Sequence, residues 1–260
     1  MRIDNLGVNL FSLRTLIKDE AGLTDTLYKL GEMGYGCAQY SGAPFDSERI
    51  ARASRTSGLP ITLTHVPFVD IIERPEWLMS EHAKFNCRNI GLGTLPRDMF
   101  GDKDRVYAAV EGLARSAEVM KKGGYTLYYH NHHSDCVRFD GEVLLDRMMR
   151  ECADMSFTLD VYWLQYGGLS VSEYIEKLKG RIGCVHLKDY RIEIRDGENE
   201  PRFVPNFAPV GDGNMNFPDI IGRMREAGTE YYFVEQDNAV SYPLPLAEVK
   251  RSIDYLRRLM

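Results

Sequence analysis

No disulfide framework can be built from this chain's cysteines. The five, Cys37, Cys87, Cys136, Cys152 and Cys184, are odd in number and widely spaced, and no C-x-x-C occurs. They read as free thiols, which implies a reducing, cytoplasmic setting. No apolar run approaches 18 residues, so no membrane-spanning helix is expected. The opening residues, MRIDNLGVNLFSLRTLIKDE, carry charges inside their first apolar run and no small-residue cleavage pattern. They read as a first strand and not as a signal peptide. Basic charge is also in deficit: 32 Lys and Arg stand against 38 Asp and Glu, a net charge of −6. A nucleic-acid partner is not expected of so acidic a chain, because such binders carry a basic face. A G-x-G-x-x-G after the first strand is missing, which argues against an open dinucleotide-binding sheet. No Gly/Ser tract or low-complexity linker divides the chain, so residues 1–260 read as one domain.

What is present suits a barrel. Apolar residues make up 44% of the 260 and charged residues 27%, enough for a large core under an ordinary polar surface. Apolar runs predict strands at 6–13, 35–40, 60–68, 89–95, 125–132, 156–163, 182–189 and 230–236. Between them lie segments with helical spacing: 22–34 with Leu23, Leu27, Leu30 and Met33, then 46–58, 75–85, 104–124, 140–152, 170–180, 217–228 and 244–260. Asp46 or Ser47 suits the cap of the second of these. A long polar insertion, 190–216, interrupts the pattern; its charge run 195-RDGENE-200 reads as a solvated loop or a lid. Eight strand–helix alternations with mostly short connections favour an α/β fold, a single closed (β/α)8 TIM barrel.

Four of the predicted strands end in a potential metal ligand. The segments are YTLYYHNHH, SFTLDVYW, GCVHLKD and EYYFVEQD, and the residues are His130 or His132, Asp160, His186 and Glu235. A parallel barrel brings such strand ends to one mouth. A carboxylate at the end of an apolar strand needs a positive partner, since an unpaired buried charge costs several kcal/mol. A divalent ion would supply it, bound through nitrogen and carboxylate ligands. Three of the six histidines fall in 130-HNHH-133, where strand alternation puts His130 and His132 on one side. Lys188, two residues after His186, would share its face and could stabilise an oxyanion, or donate a proton if its pKa were depressed. Trp163 suits the apolar face of a sugar ring, and His65 and Gln39, at other strand ends, suit substrate contacts. In 210-VGDGNMNFPDII-221, Asn216 suits a helix cap before Pro218, and a helix N-terminus there could hold an anion.

Taken in order, these residues resemble the xylose isomerase-like TIM-barrel superfamily, in its sugar phosphate isomerase/epimerase branch. The pieces that carry the resemblance are YHNH at 129–132, TLDVYW at 158–163, VHLKD at 185–189, VGDGN at 210–214 and YFVEQD at 232–237. The resemblance implies a divalent ion (Mn²⁺, Zn²⁺, Co²⁺ or Mg²⁺) at the barrel mouth, a small carbohydrate substrate, and homodimers or homotetramers. Carried over by position, its ligand set falls on His130, Asp160, His186 and Glu235. The first of these is commonly a Glu, and the related ketose epimerases work with two metal-bound glutamates, one on each side of the substrate carbon. The YHNH branch also usually carries a Glu where this chain has Asp135. A metal-dependent isomerase or epimerase of a sugar or cyclitol, forming an enediolate, is the expected activity, with Glu235, His132 and Lys188 as its catalytic groups. A keto-sugar lyase or dehydratase on the same site, or a non-catalytic sugar-binding subunit, is the alternative.

Overall fold

The computed structural model describes all 260 residues. Eight parallel strands close into a barrel in the order β1-β12-β9-β8-β5-β4-β3-β2. They are β1 (Leu6–Asn9), β2 (Cys37–Tyr40), β3 (Ile61–His65), β4 (Asn89–Leu92), β5 (Thr126–His130), β8 (Ser156–Asp160), β9 (Ile182–Leu187) and β12 (Tyr231–Val234). The remaining four strands form two antiparallel ribbons outside the barrel, β6 (Arg138–Phe139) with β7 (Glu142–Val143) and β10 (Asp189–Arg195) with β11 (Arg202–Ala208). Barrel strands are covered on both faces, which is why they read as continuous apolar runs and not as alternating ones. Ten helices surround them, from α1 (Glu20–Met33), α2 (Ser47–Ser57), α3 (Phe68–Glu73), α4 (Pro75–Ala83) and α5 (Lys103–Lys122) through α6 (Leu144–Glu151), α7 (Val161–Tyr166), α8 (Val171–Lys177), α9 (Phe217–Glu226) and α10 (Pro245–Leu256). No helix is long and apolar enough to cross a membrane.

The main core lies between sheet and helices. A smaller cluster, Cys37, Leu63, Tyr128, Cys184 and Phe233, fills the barrel interior below the mouth. All five cysteines are free.

Several strands stop earlier than their apolar runs suggest, and each stop has a cause. The Asp160 side chain accepts the Trp163 N–H at 2.9 Å and so caps α7, which turns 161-VYW-163 from strand into helix. β5 ends at His130 because His132 opens a 3-10 turn over His133–Cys136, whose Asp135 carboxylate takes the His132 N–H at 2.7 Å. Helix α6 begins at Leu144, after the β6–β7 ribbon, which turns at Asp140-Gly141 with both residues at positive φ. Of the two candidate caps of α2, Asp46 is the one used, accepting from Arg49 N at 3.0 Å.

The insertion after β9 is ordered. β10 and β11 make a ribbon in which Tyr190, Ile192 and Ile194 stand opposite Phe207, Pro205 and Phe203 on one apolar face. The run 195–200, expected as a loop or lid, is the ribbon's tip. At its base the Asp189 carboxylate accepts the backbone N–H groups of Tyr190, Gly211, Gly213 and Met215, at 2.8–3.1 Å. A Cβ on Gly213 would collide with that carboxylate, so VGDGN needs glycine there. The anion expected near this segment is therefore one the chain itself supplies.

Candidate metal centre at the barrel mouth

Asn9, His65, His130 and Asp160 end their strands, Gln39 and His186 lie one residue short of the ends of β2 and β9, and Glu235 directly follows β12. Each is thereby aimed at the C-terminal mouth. One donor atom from each of His130, Asp160, His186 and Glu235 falls within 4.8 Å of the other three, and all four residues are buried. His186 Nδ1 is 3.0 Å from His130 Nε2 and 2.8 Å from Glu235 Oε2, while His130 Nε2 is 3.3 Å from Asp160 Oδ2.

Every second donor of these side chains is already taken. His130 Nδ1 lies 3.0 Å from the Gly93 carbonyl and His186 Nε2 2.6 Å from Gln39 Oε1. Both partners are acceptors, so those nitrogens carry the protons, and the lone pairs sit on His130 Nε2 and His186 Nδ1, which face each other. Asp160 Oδ1 caps α7, which leaves Oδ2 for the cluster. Glu235 Oε1 accepts from Asn9 Nδ2 at 2.9 Å, which leaves Oε2. Glu235 Oε2 is buried, and although His186 and Lys188 approach it, neither makes a hydrogen bond to it. Two imidazole lone pairs and two carboxylate oxygens converging on one point form a donor set that suits a divalent cation, with outer partners fixing each ligand.

The electrostatics show a cluster short of positive charge. Burial works against charging His186, but Glu235 and Asp160 outweigh it and hold its pKa above the usual value. Burial, then His186, holds the His130 pKa down. Burial favours neutral carboxyls at Asp160 and Glu235, but Lys188 and the imidazoles override it and keep both pKa values below the carboxylate range. Lys188 Nζ is buried 3.3 Å from Asp160 Oδ2, 3.2 Å from Glu235 Oε2 and 3.1 Å from Asp237 Oδ1. Burial alone would depress its pKa, but these three carboxylates raise it. Lys188 is therefore a fixed ammonium, not the depressed-pKa donor that was one of its two expected roles. Three carboxylates against one ammonium leave two negative charges, which a divalent ion would balance.

The cavity above the cluster measures about 630 Å³ and is lined by His65, His130, His132, Trp163, Lys188 and Glu235, among others. The His132 ring lies 4.5 Å from that of His130 but outside the four-residue group. Burial, followed by His130 and Lys188, pushes its pKa down to about 2. The His65 ring stacks on His130 at 5.3 Å. Gly93 makes room for it, since a Cβ there would lie 3.1 Å from His65 Nδ1. Gln39, expected to touch substrate, is fully buried between His65 Nε2, at 2.7 Å, and His186. Its position suits holding two imidazoles. Asp135 faces away from the cluster, bound to Tyr129 Oη at 2.9 Å and to the His132 N–H, with burial raising its pKa to about 7.

Sequence reading passed over four contributors. Asn131 locks β5 to β8, accepting from Asp160 N at 2.8 Å and donating to Asp160 O at 3.2 Å. Asn9 ends an apolar strand just as the ligands do, and that rule would have found it. Asp237 stands inside the YFVEQD motif, whereas the Gly93 carbonyl leaves no trace in sequence.

The strand order, the filled interior and the ligand-rich mouth define a parallel barrel with a candidate metal centre at the C-terminal ends of the strands. The family described as xylose isomerase-like TIM barrel matches residues 27–259, and the chain belongs to that family. An inosose dehydratase of Geobacillus thermodenitrificans is 27% identical over 245 residues, covering 82% of this chain and 81% of the relative. A second, from Geobacillus kaustophilus, is 29% identical over 164 residues, 58% of this chain and 52% of its own length. Among solved structures, a sugar phosphate isomerase/epimerase from Parabacteroides distasonis superposes with a TM-score of 0.79 at 23% identity, covering 99% of this chain and 94% of that one. An L-ribulose 3-epimerase does so with a TM-score of 0.70 at 15% identity, covering 98% and 93%. At these identities the two structures speak to the fold alone.

Proposed function

We propose that this chain is a metal-dependent enzyme that enolises a polyhydroxylated ketone, a keto-sugar or cyclitol, and then expels a β-hydroxyl as water. The observation that carries this reading is the convergence of His130 Nε2, Asp160 Oδ2, His186 Nδ1 and Glu235 Oε2, each fixed by an outer partner. A divalent ion, if held by these four side chains, would supply Lewis-acid polarisation of the substrate carbonyl. Glu235 takes the proton from the carbon next to the carbonyl. The Lys188 ammonium balances the negative charge that develops on the substrate oxygens. His132, held neutral at the cavity wall, is placed to hydrogen-bond the departing oxygen, which leaves as water with the proton that Glu235 removed. Trp163 and His65 shape the cavity around the ring.

The donor set favours elimination over two-base epimerisation. His130 falls where the resemblance to the ketose epimerases implies a second glutamate, so Glu235 is the one glutamate in the ligand set. The relative that spans most of the chain, named inosose dehydratase, supports the same outcome. Isomerisation is the second reading, because a single glutamate in the ligand set also suits returning the proton it takes to a neighbouring carbon. An endonuclease-type multi-metal centre finds no support in one group of four ligands on an acidic chain.

The test is incubation of metal-loaded protein with keto-sugars and inosose-type cyclitols in D₂O. Deuterium at the carbon next to the carbonyl, together with loss of water, is the expected result. Recovery of an isomer without loss of water would favour the second reading. Glu235→Gln is expected to reduce exchange by at least 100-fold with its circular dichroism intact. Full exchange in that variant would remove Glu235 from proton transfer.

A further inference from the structure

Two cavities meet beside His132. The central one shares Thr94, Arg97, His132 and His133 with a side pocket of about 440 Å³, which Ser134 and Phe100 also line. Lys188, Glu235 and Asp237 line the central cavity and not the side pocket. Positive charge is divided in the same way. Lys188 is held by three carboxylates at the central cavity, so its charge serves the reacting end and not a ligand group outside it. Arg97 is exposed, lines both cavities and has no carboxylate partner, while the adjacent Asp98 is paired with Arg105 at 2.8 Å. Arg97 lies near enough to His133 to add to the effect of burial in holding that imidazole's pKa down.

A planar guanidinium with all its donors free matches a phosphate or a carboxylate in a two-bond fork. A neutral polyol offers it nothing comparable. We propose that the substrate carries an anionic group, a phosphate ester or a carboxylate, which Arg97 receives in the side pocket while the keto-polyol part occupies the central cavity. This deepens the functional reading above and rests on it.

The test compares α-carbon exchange for a free ketose, its terminal phosphate ester and the matching keto-uronate. Wild-type protein is expected to show a KM at least tenfold lower for one charged form than for the free ketose. Which form is preferred tells phosphate from carboxylate. Arg97→Gln is expected to collapse that ratio to within twofold, and Arg97→Lys to restore part of it. Equal KM values in the wild type, or a preference that survives Arg97→Gln, would overturn the proposal. If no compound exchanges in any protein, the functional reading fails, and calorimetry with inorganic phosphate alone then tests Arg97. A Kd at least tenfold weaker in Arg97→Gln supports the anion site, whereas indistinguishable isotherms refute it.

Discussion

Each candidate ligand has two polar ends, and the chain ties down one of them. Gly93 O, Gln39 Oε1, the Trp163 N–H and Asn9 Nδ2 hold the outward ends of His130, His186, Asp160 and Glu235. Outer partners of this kind typically change metal affinity by 10–100-fold when removed. Gln39→Leu is therefore expected to weaken divalent-ion affinity by that factor, measured by competition with a chelating dye, while the far-UV circular dichroism without metal stays that of the wild type. Unchanged affinity would show that the His186 tautomer needs no such partner. The four ligand candidates were legible in the sequence because a carboxylate or imidazole closing an apolar strand has few ways to be satisfied. Their partners were less so: one is a backbone carbonyl, one a backbone N–H, and Gln39 looks like any polar residue at a strand end.

Between elements, polar side chains bridge sheet and helices through the core. His82 on α4 is fully buried, with Nε2 2.7 Å from Thr64 Oγ1 on β3 and Nδ1 2.7 Å from the Leu78 carbonyl. Burial pushes its pKa down to about 4, against the opposing pull of the Leu78 carbonyl. The unfolded chain binds this proton near pH 6.5, so the contribution of neutral His82 is complete above that pH and is lost as pH falls through about 4. The window is worth roughly 3 kcal/mol. Urea unfolding at pH 7, 5 and 4 is expected to show a smaller acid-induced loss in His82→Gln than in the wild type. Parallel losses would place the acid sensitivity elsewhere. Element boundaries were the weaker part of the reading, because capping by Asp160 and the turn at His132 act against apolar runs that continue past them. The β10 strand was present in sequence as the alternation 190-YRIEIR-195, but the polar residues around it made the segment resemble a loop.

At the scale of the molecule, eight strand–helix alternations were enough to foresee the closed barrel, since closure alone carries ligands 105 positions apart, from His130 to Glu235, to one mouth. The same closure gathers three carboxylates and two imidazoles around one ammonium, an arrangement that calls for further positive charge. The most direct test is a calorimetric titration of Mn²⁺ into the chelator-treated protein. One saturable ion per chain in the wild type, lost in Asp160→Asn, is the predicted result. A wild-type protein with no saturable binding, or an Asp160→Asn variant that binds as the wild type does, would contradict it.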